Sequence, residues 1–150
     1  MIRLVTSEDA FSLLEVLPRC AGLTDDEIDG CEAACGVPFA PDFRRLLRAA
    51  GGSLGWLFPR GLDHPSQIGR LRAEAAELFA ESGWSPGPTD IILFIHEQGC
   101  GAALIRGDGP VSTVYRYTEW VAGPENSGLT LGLYLATALT RHLSPDSLPR

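Results

Sequence analysis

Residues 23–52 read LTDDEIDGCEAACGVPFAPDFRRLLRAAGG, and the spacing within them decides the fold class. Thr24-Asp25-Asp26-Glu27 has the form of a capping box, in which the threonine and glutamate side chains satisfy each other's free backbone amides at a helix start. Ile28, Cys31 and Cys35 then recur at i, i+3 and i+7, which predicts one buried face, and Gly36 is the expected stop. Gly30 weakens the middle of this helix by about 1 kcal/mol relative to alanine. Asp25, Asp29 and Glu32 recur on a neighbouring face as an acidic ridge. Pro38 and Pro41 bracket a short linker, and Pro41 suits the first turn of a following helix. Phe43, Leu46, Leu47 and Ala50 make the buried stripe of that helix. Arg44, Arg45 and Arg48 point outward, and Gly51-Gly52 ends it.

Working outward, residues 2–5 read as a short edge strand or a lead-in. Ser7 is the expected cap of a first helix, with Glu8 and Asp9 in the turn where the helix dipole favours carboxylates. Ala10, Phe11, Leu13, Leu14 and Leu17 give its apolar stripe. After the double glycine, residues 54–58 (LGWLF) read as a strand stopped by Pro59. Ser66 is the expected cap of a fourth helix that turns Ile68, Leu71, Ala75, Leu78 and Phe79 inward. Glu74, Glu77 and Glu81 lie opposite as a second acidic ridge. Trp84 anchors a loop rich in proline and glycine.

The remaining third turns to strands. Residues 91–95 are five apolar residues in a row, short enough for a strand buried on both faces. Residues 98–101 turn the chain into a strand at 102–105, and 106–110 form a hairpin loop leading to a β-branched and aromatic strand at 111–117. These make an antiparallel meander, and residues 130–142 a closing helix despite Gly132. At 150 residues, 45% of them hydrophobic and 21% charged, the chain is expected to be one globular domain, 1–150.

Charge is segregated. The formal net charge is -7, and every basic residue is an arginine. Residues 20–43 and 73–105 carry carboxylates and no basic residue, whereas 44–72 carry arginines against the single Asp63. Such a layout steers a charged partner, or else the segments pair with one another in the fold. With no basic stripe and this net charge, nucleic acid is excluded as a partner. No run approaches the roughly 20 apolar residues of a membrane span, and MIRLVTSEDA lacks an export signal. The cytoplasm is therefore expected, with Cys20, Cys31, Cys35 and Cys100 as reduced thiols.

Motifs for chemistry are weak. Cys31 and Cys35 share a helix stripe with C-x3-C spacing, unlike the loop-borne pairs of structural zinc sites, so no metal is expected. His96-Glu97-Gln98-Gly99-Cys100 places an imidazole, a carboxylate and a thiol together, but it leaves a strand and enters a glycine turn. The related zinc-protease pattern needs a helix. Arg106-Gly107-Asp108 is the composition of a hairpin loop, and no glycine pattern cradles phosphate. No catalytic residue and no cofactor are expected.

The order of elements resembles the SUKH superfamily, which includes bacterial immunity proteins and the yeast cell-wall-synthesis regulators. The resemblance is carried by Thr24, Glu27, Ile28, Glu32, Gly36, Phe39, Asp42, Phe43, Leu46, Leu47, Gly51 and Gly52. Trp84 before the apolar strand, the hairpin at 91–105, the strand at 111–117 and the helix near 127–143 continue it. Two departures are Ala40, where the family often has proline, and Ala50, where asparagine is common before the glycines. The resemblance implies an α+β fold, with a mixed, mainly antiparallel sheet and N-terminal helices packed against it.

It also implies a non-catalytic module that binds a protein, in bacteria a cognate toxin, often a nuclease. A toxin with a basic surface would meet carboxylates. The candidate partner-binding residues, taken from charge and spacing, are Asp25, Asp29, Glu32, Asp63, Glu74, Glu77, Glu81, Glu97 and Glu119. The two ridges would form one surface if their helices lie side by side. The alternatives are a regulatory or scaffold module that binds a host protein, and a thiol enzyme or metalloprotein using His96 and Cys100.

Overall fold

The computed structural model describes residues 6–95, 101–107, 109–118 and 123–142. Three helices come first: α1 (Ser7–Val16), α2 (Asp25–Cys35) and α3 (Pro41–Ala50). A segment with short 3-10 turns leads to α4 (Ile68–Leu78). Four strands follow, β1 (Asp90–Ile95), β2 (Gly101–Arg106), β3 (Thr113–Thr118) and β4 (Glu125–Thr130), and α5 (Leu131–His142) closes the described chain. No helix among the described residues is long and apolar enough to cross a membrane.

The strands lie in the order β1-β2-β3-β4, and every neighbouring pair is antiparallel. The expected mixed sheet is therefore wholly antiparallel among the described residues. The cause is the length of the links, because a parallel neighbour needs a crossover of about a dozen residues or more. Here strands are joined through residues 96–100, 107–112 and 119–124 only.

The helix ends follow their sequence signals closely. Thr24 Oγ1 accepts from the Glu27 amide, and Glu27 Oε1 accepts from the Thr24 amide, which completes the capping box. Gly36 ends α2 in the left-handed region at φ 70°. For α1 the cap is Thr6, one residue before the expected Ser7. Thr6 and Asp9 form the reciprocal pair, while Ser7 turns its hydroxyl toward Thr130, 3.4 Å away.

Four other expectations are corrected. Residues 54–58 are not a strand. Leu54–Trp56 is a 3-10 turn, and the amides of Leu57 and Phe58 both donate to the Leu54 carbonyl. The buried residues Leu54, Leu57 and Phe58 follow helical spacing rather than alternation. Ser66 is not a cap either. It sits inside the 3-10 turn Pro65–Gln67, and His64 Nδ1 accepts from its amide at 3.1 Å.

Leu78, expected inward, is 46% exposed. The buried stripe runs through Leu71, Ala75 and Phe79, at i, i+4 and i+8, which leaves Leu78 one position off it. Finally, β4 takes residues 127–130, which the resemblance placed in the closing helix, so that helix begins only at Leu131. The strand's sequence ENSGLT is polar and holds Gly128 at φ 78°, so it carries little apolar alternation. It pairs with β3 across a bulge, aided by Ser127 Oγ donating to the Val114 carbonyl. The expected strand or lead-in at residues 2–5 lies outside the described residues.

Side-chain alternation divides the sheet into two faces. Tyr117 lies on one, where it stacks on Trp84 with ring centroids 4.6 Å apart and meets Phe79 edge-on at 4.6 Å. α4 covers this face beside β1. Arg116 and its partner Ala103 point to the other face, which α5 covers. α1 packs on α5, and α3 on α1. The α1–α5 crossing explains Gly132, because a Cβ there would collide with Ser7. α2 is the outermost helix. It meets α3 and the turn at Pro65–Gln67.

Candidate functional site

The arginines of α3 and the carboxylates of its neighbours meet. Arg44 pairs with Asp29 and Glu32, and Arg48 Nε donates to Asp25 Oδ1 at 2.7 Å. Arg45 reaches α1, where Nη1 and Nη2 grip the two Glu8 oxygens at 2.8 and 2.9 Å while Nε donates to Glu15. Its guanidinium also lies over the Phe11 ring. Glu32 accepts in addition from the Phe39 amide, at 2.6 Å, and so ties the end of α2 to the linker before α3. Of the two outcomes that segregated charge allows, internal pairing is the one realised between α2 and α3.

Titration follows these contacts. The hydrogen bond from Arg48 and then its charge lower the Asp25 pKa, and Arg45 does the same for Glu8. The Glu27 carboxyl is lowered chiefly by the Thr24 amide. The ion pairs of Arg44 and Arg48 offset part of the charge of Asp25, Asp29 and Glu32, which reduces their field toward a basic partner.

The second ridge is different. Glu74 meets Arg70 loosely, at 3.8 Å, whereas Glu77 and Glu81 are exposed and form no ion pair among the described residues. Leu78 lies between them. The exposed large apolar side chains among the described residues are Val16, Leu78 and Val111. Among the described residues only Leu78 stands on a helix beside carboxylates that lack a cation partner.

The two ridges do not merge where α2 approaches α4. A groove of about 380 Å³ separates them there, and α2 lines it with Gly30, Cys31 and Ala34, facing His64, Ser66 and Gly69. The Asp25-Asp29-Glu32 face turns to α3 instead. Asp63 is exposed, and its backbone serves the turn, with its amide donating to Gln67 and its carbonyl accepting from Leu54. Glu97 and Glu119 lie outside the described residues, as do His96 and Cys100.

Other charged clusters hold the fold. Asp90 is fully buried, and Arg106 grips both its oxygens, Nε to Oδ1 at 2.7 Å and Nη2 to Oδ2 at 3.0 Å. The Gly87 amide completes the set, and Arg72 of α4 donates to the carbonyls of Gly87 and Asp90. Asp42 at the start of α3 accepts from both the amide and the hydroxyl of buried Ser112. Burial pushes the Cys20 and Cys31 thiols up, so they stay protonated near neutrality. No group of three or more potential metal ligands occurs among the described residues.

One cluster escaped the sequence reading. Arg116 of β3 and Tyr134 and Arg141 of α5 line a single cavity between α5 and the sheet. Tyr134 and Arg141 sit seven residues apart and so share a helix face. That spacing was visible, but linking it to Arg116 required knowing that α5 crosses β3. Comparison with known proteins finds no matching family model, no matching curated protein and no matching solved structure.

Proposed function

We propose that this chain is a non-catalytic protein-binding module with a SUKH-like fold, an immunity protein that binds and neutralises a cognate toxin in the cytoplasm. Two things support the reading. One is the resemblance carried by residues 24–52 and the later strands. The other is the end of α4 and the turn after it, where exposed Leu78 stands near Glu74, Glu77 and Glu81. An apolar anchor within a polar rim is the anatomy of an interface hot spot. Its carboxylates suit a basic partner, and a nuclease's substrate groove is basic because it must hold phosphates.

The single observation that carries the reading is the position of exposed Leu78 beside Glu77 and Glu81, which have no ion pair among the described residues. It moves the proposed contact from the α2 ridge, where α3 offsets part of the charge, to α4. The test is co-expression with the toxin-like protein encoded beside the gene. Growth should be restored by the wild type and lost with Leu78→Glu. Failure with every neighbouring toxin-like protein, together with an altered physiology on deletion when no toxin is present, would favour a host regulatory module instead.

A further inference from the structure

The cavity between α5 and the sheet measures about 270 Å³. Arg116 enters it from the face of the sheet opposite Tyr117, and Arg141 enters from the last turns of α5. Tyr134 and Thr137 supply hydroxyls, and Phe94 and Leu129 supply an apolar wall. Neither arginine has an ion pair among the described residues. Glu125 stands opposite Arg116 in the strand register but makes no ion pair with it.

That is unusual in this molecule. Arg44, Arg45, Arg48, Arg70 and Arg106 are paired with carboxylates. Arg72 serves carbonyls, Arg19 lies over Trp56, and Arg60 has a partner of its own. With carboxylates in excess overall, two solvent-exposed guanidiniums line one cavity with no carboxylate partner among the described residues. Both act on the Tyr134 phenol, whose pKa is raised by burial and pulled back by Arg116 and Arg141. The net shift is upward, so the phenol remains a neutral donor.

We infer that this cavity binds a small organic anion, with its carboxylate or phosphate held between Arg116 and Arg141 and its apolar body against Phe94 and Leu129. The chemistry is that of most small-ligand sites, an apolar lining with a few convergent polar groups. Guanidinium is the side chain best matched to planar or tetrahedral oxyanions, through paired N–H donors. The Tyr134 hydroxyl adds a neutral donor to the headgroup. The site lies on the α5 side of the sheet, whereas the proposed toxin contact lies on α4, so either can fail without the other.

The test uses phenyl phosphate and benzoate as probes, titrated into the full chain and followed by amide resonances. Saturable shifts are expected around Arg116, Leu129 and Tyr134. Arg116→Gln and Arg141→Gln should each weaken binding by roughly tenfold, the scale of one lost charge-assisted hydrogen bond. Arg70→Gln, a surface control, should leave affinity unchanged, and thermal melting should establish that all three variants fold. The inference is overturned by no saturable binding, by inorganic phosphate binding as tightly as phenyl phosphate, or by wild-type affinity in both cavity variants.

Discussion

The guanidinium of Arg44 on α3 pairs with the carboxylate of Asp29 on α2, and this contact changes the role of the α2 ridge. With Arg48 on Asp25, it makes the ridge an electrostatic seam between two helices. Asp25→Arg combined with Asp29→Arg should lower the melting temperature, because each places like charge against like. Salt screens such exposed pairs over about 8 Å at 0.15 M ionic strength. The loss should therefore shrink when melting is repeated in high salt. A loss indifferent to salt would mean that packing, and not charge, joins α2 to α3.

Arg45 sets a pH dependence. It holds the Glu8 carboxyl below its ordinary range, so the native state binds fewer protons there than the unfolded chain. Stability from such a group is complete above the unfolded pKa and is lost as pH falls through the native one. In stepped-pH urea titrations, the gap between wild type and Arg45→Gln should be widest above about pH 5 and narrow toward about pH 3. A gap that widens on acidification contradicts the assignment.

Asp90 and Arg106 join the ends of β1 and β2 from within. Arg106→Gln would leave a buried carboxylate without its cation, a change that costs about 3–5 kcal/mol when both partners are buried. Arg106 is 29% exposed, so the lower end, about 3 kcal/mol, is expected from urea denaturation. A loss below about 1 kcal/mol, the scale of an exposed pair, would show that water replaces the guanidinium freely.

Gly132 is where α1 and α5 touch. A Cβ there meets Ser7, so Gly132→Ala should destabilise by about 1–3 kcal/mol through overpacking, although alanine is the better helix former. Gly132→Ala combined with Ser7→Gly should recover most of the loss. A single variant more stable than wild type would mean that the two helices can part without cost.

What the residue pattern revealed was local. Thr24, Glu27, Gly36 and Pro41 act at one helix end each, and their signals lie within a few positions of the groups they satisfy. The antiparallel meander was equally legible from its short links. What the pattern hid depends on distant partners. Residues 54–58 look like a strand because four apolar residues crowd around one glycine, yet Leu54, Leu57 and Phe58 are buried at helical spacing. β4 is recognisable only through its pairing with β3, and Glu125, Asn126 and Gly128 carry no strand signal of their own.

The acidic candidates separate in the same way. Asp25, Asp29 and Glu32 on α2 have the same i, i+3 or i+4 spacing as Glu74, Glu77 and Glu81. Only the approach of α3 pairs the first set with arginines and leaves Glu77 and Glu81 without a cation. Leu78 and Phe79 are adjacent apolar residues, and the packing keeps only Phe79 on the buried stripe of Leu71 and Ala75.

The most direct measurement is the affinity of the chain for the toxin-like protein encoded beside its gene, compared between Leu78→Glu and the double variant Glu77→Arg, Glu81→Arg on one side and wild type on the other. Truncating or reversing a central hot spot costs about 2 kcal/mol or more, so at least about a thirtyfold weakening is expected for each. Glu125→Arg, on β4, should bind as wild type does. Undiminished binding by both α4 variants would contradict α4 as the contact helix.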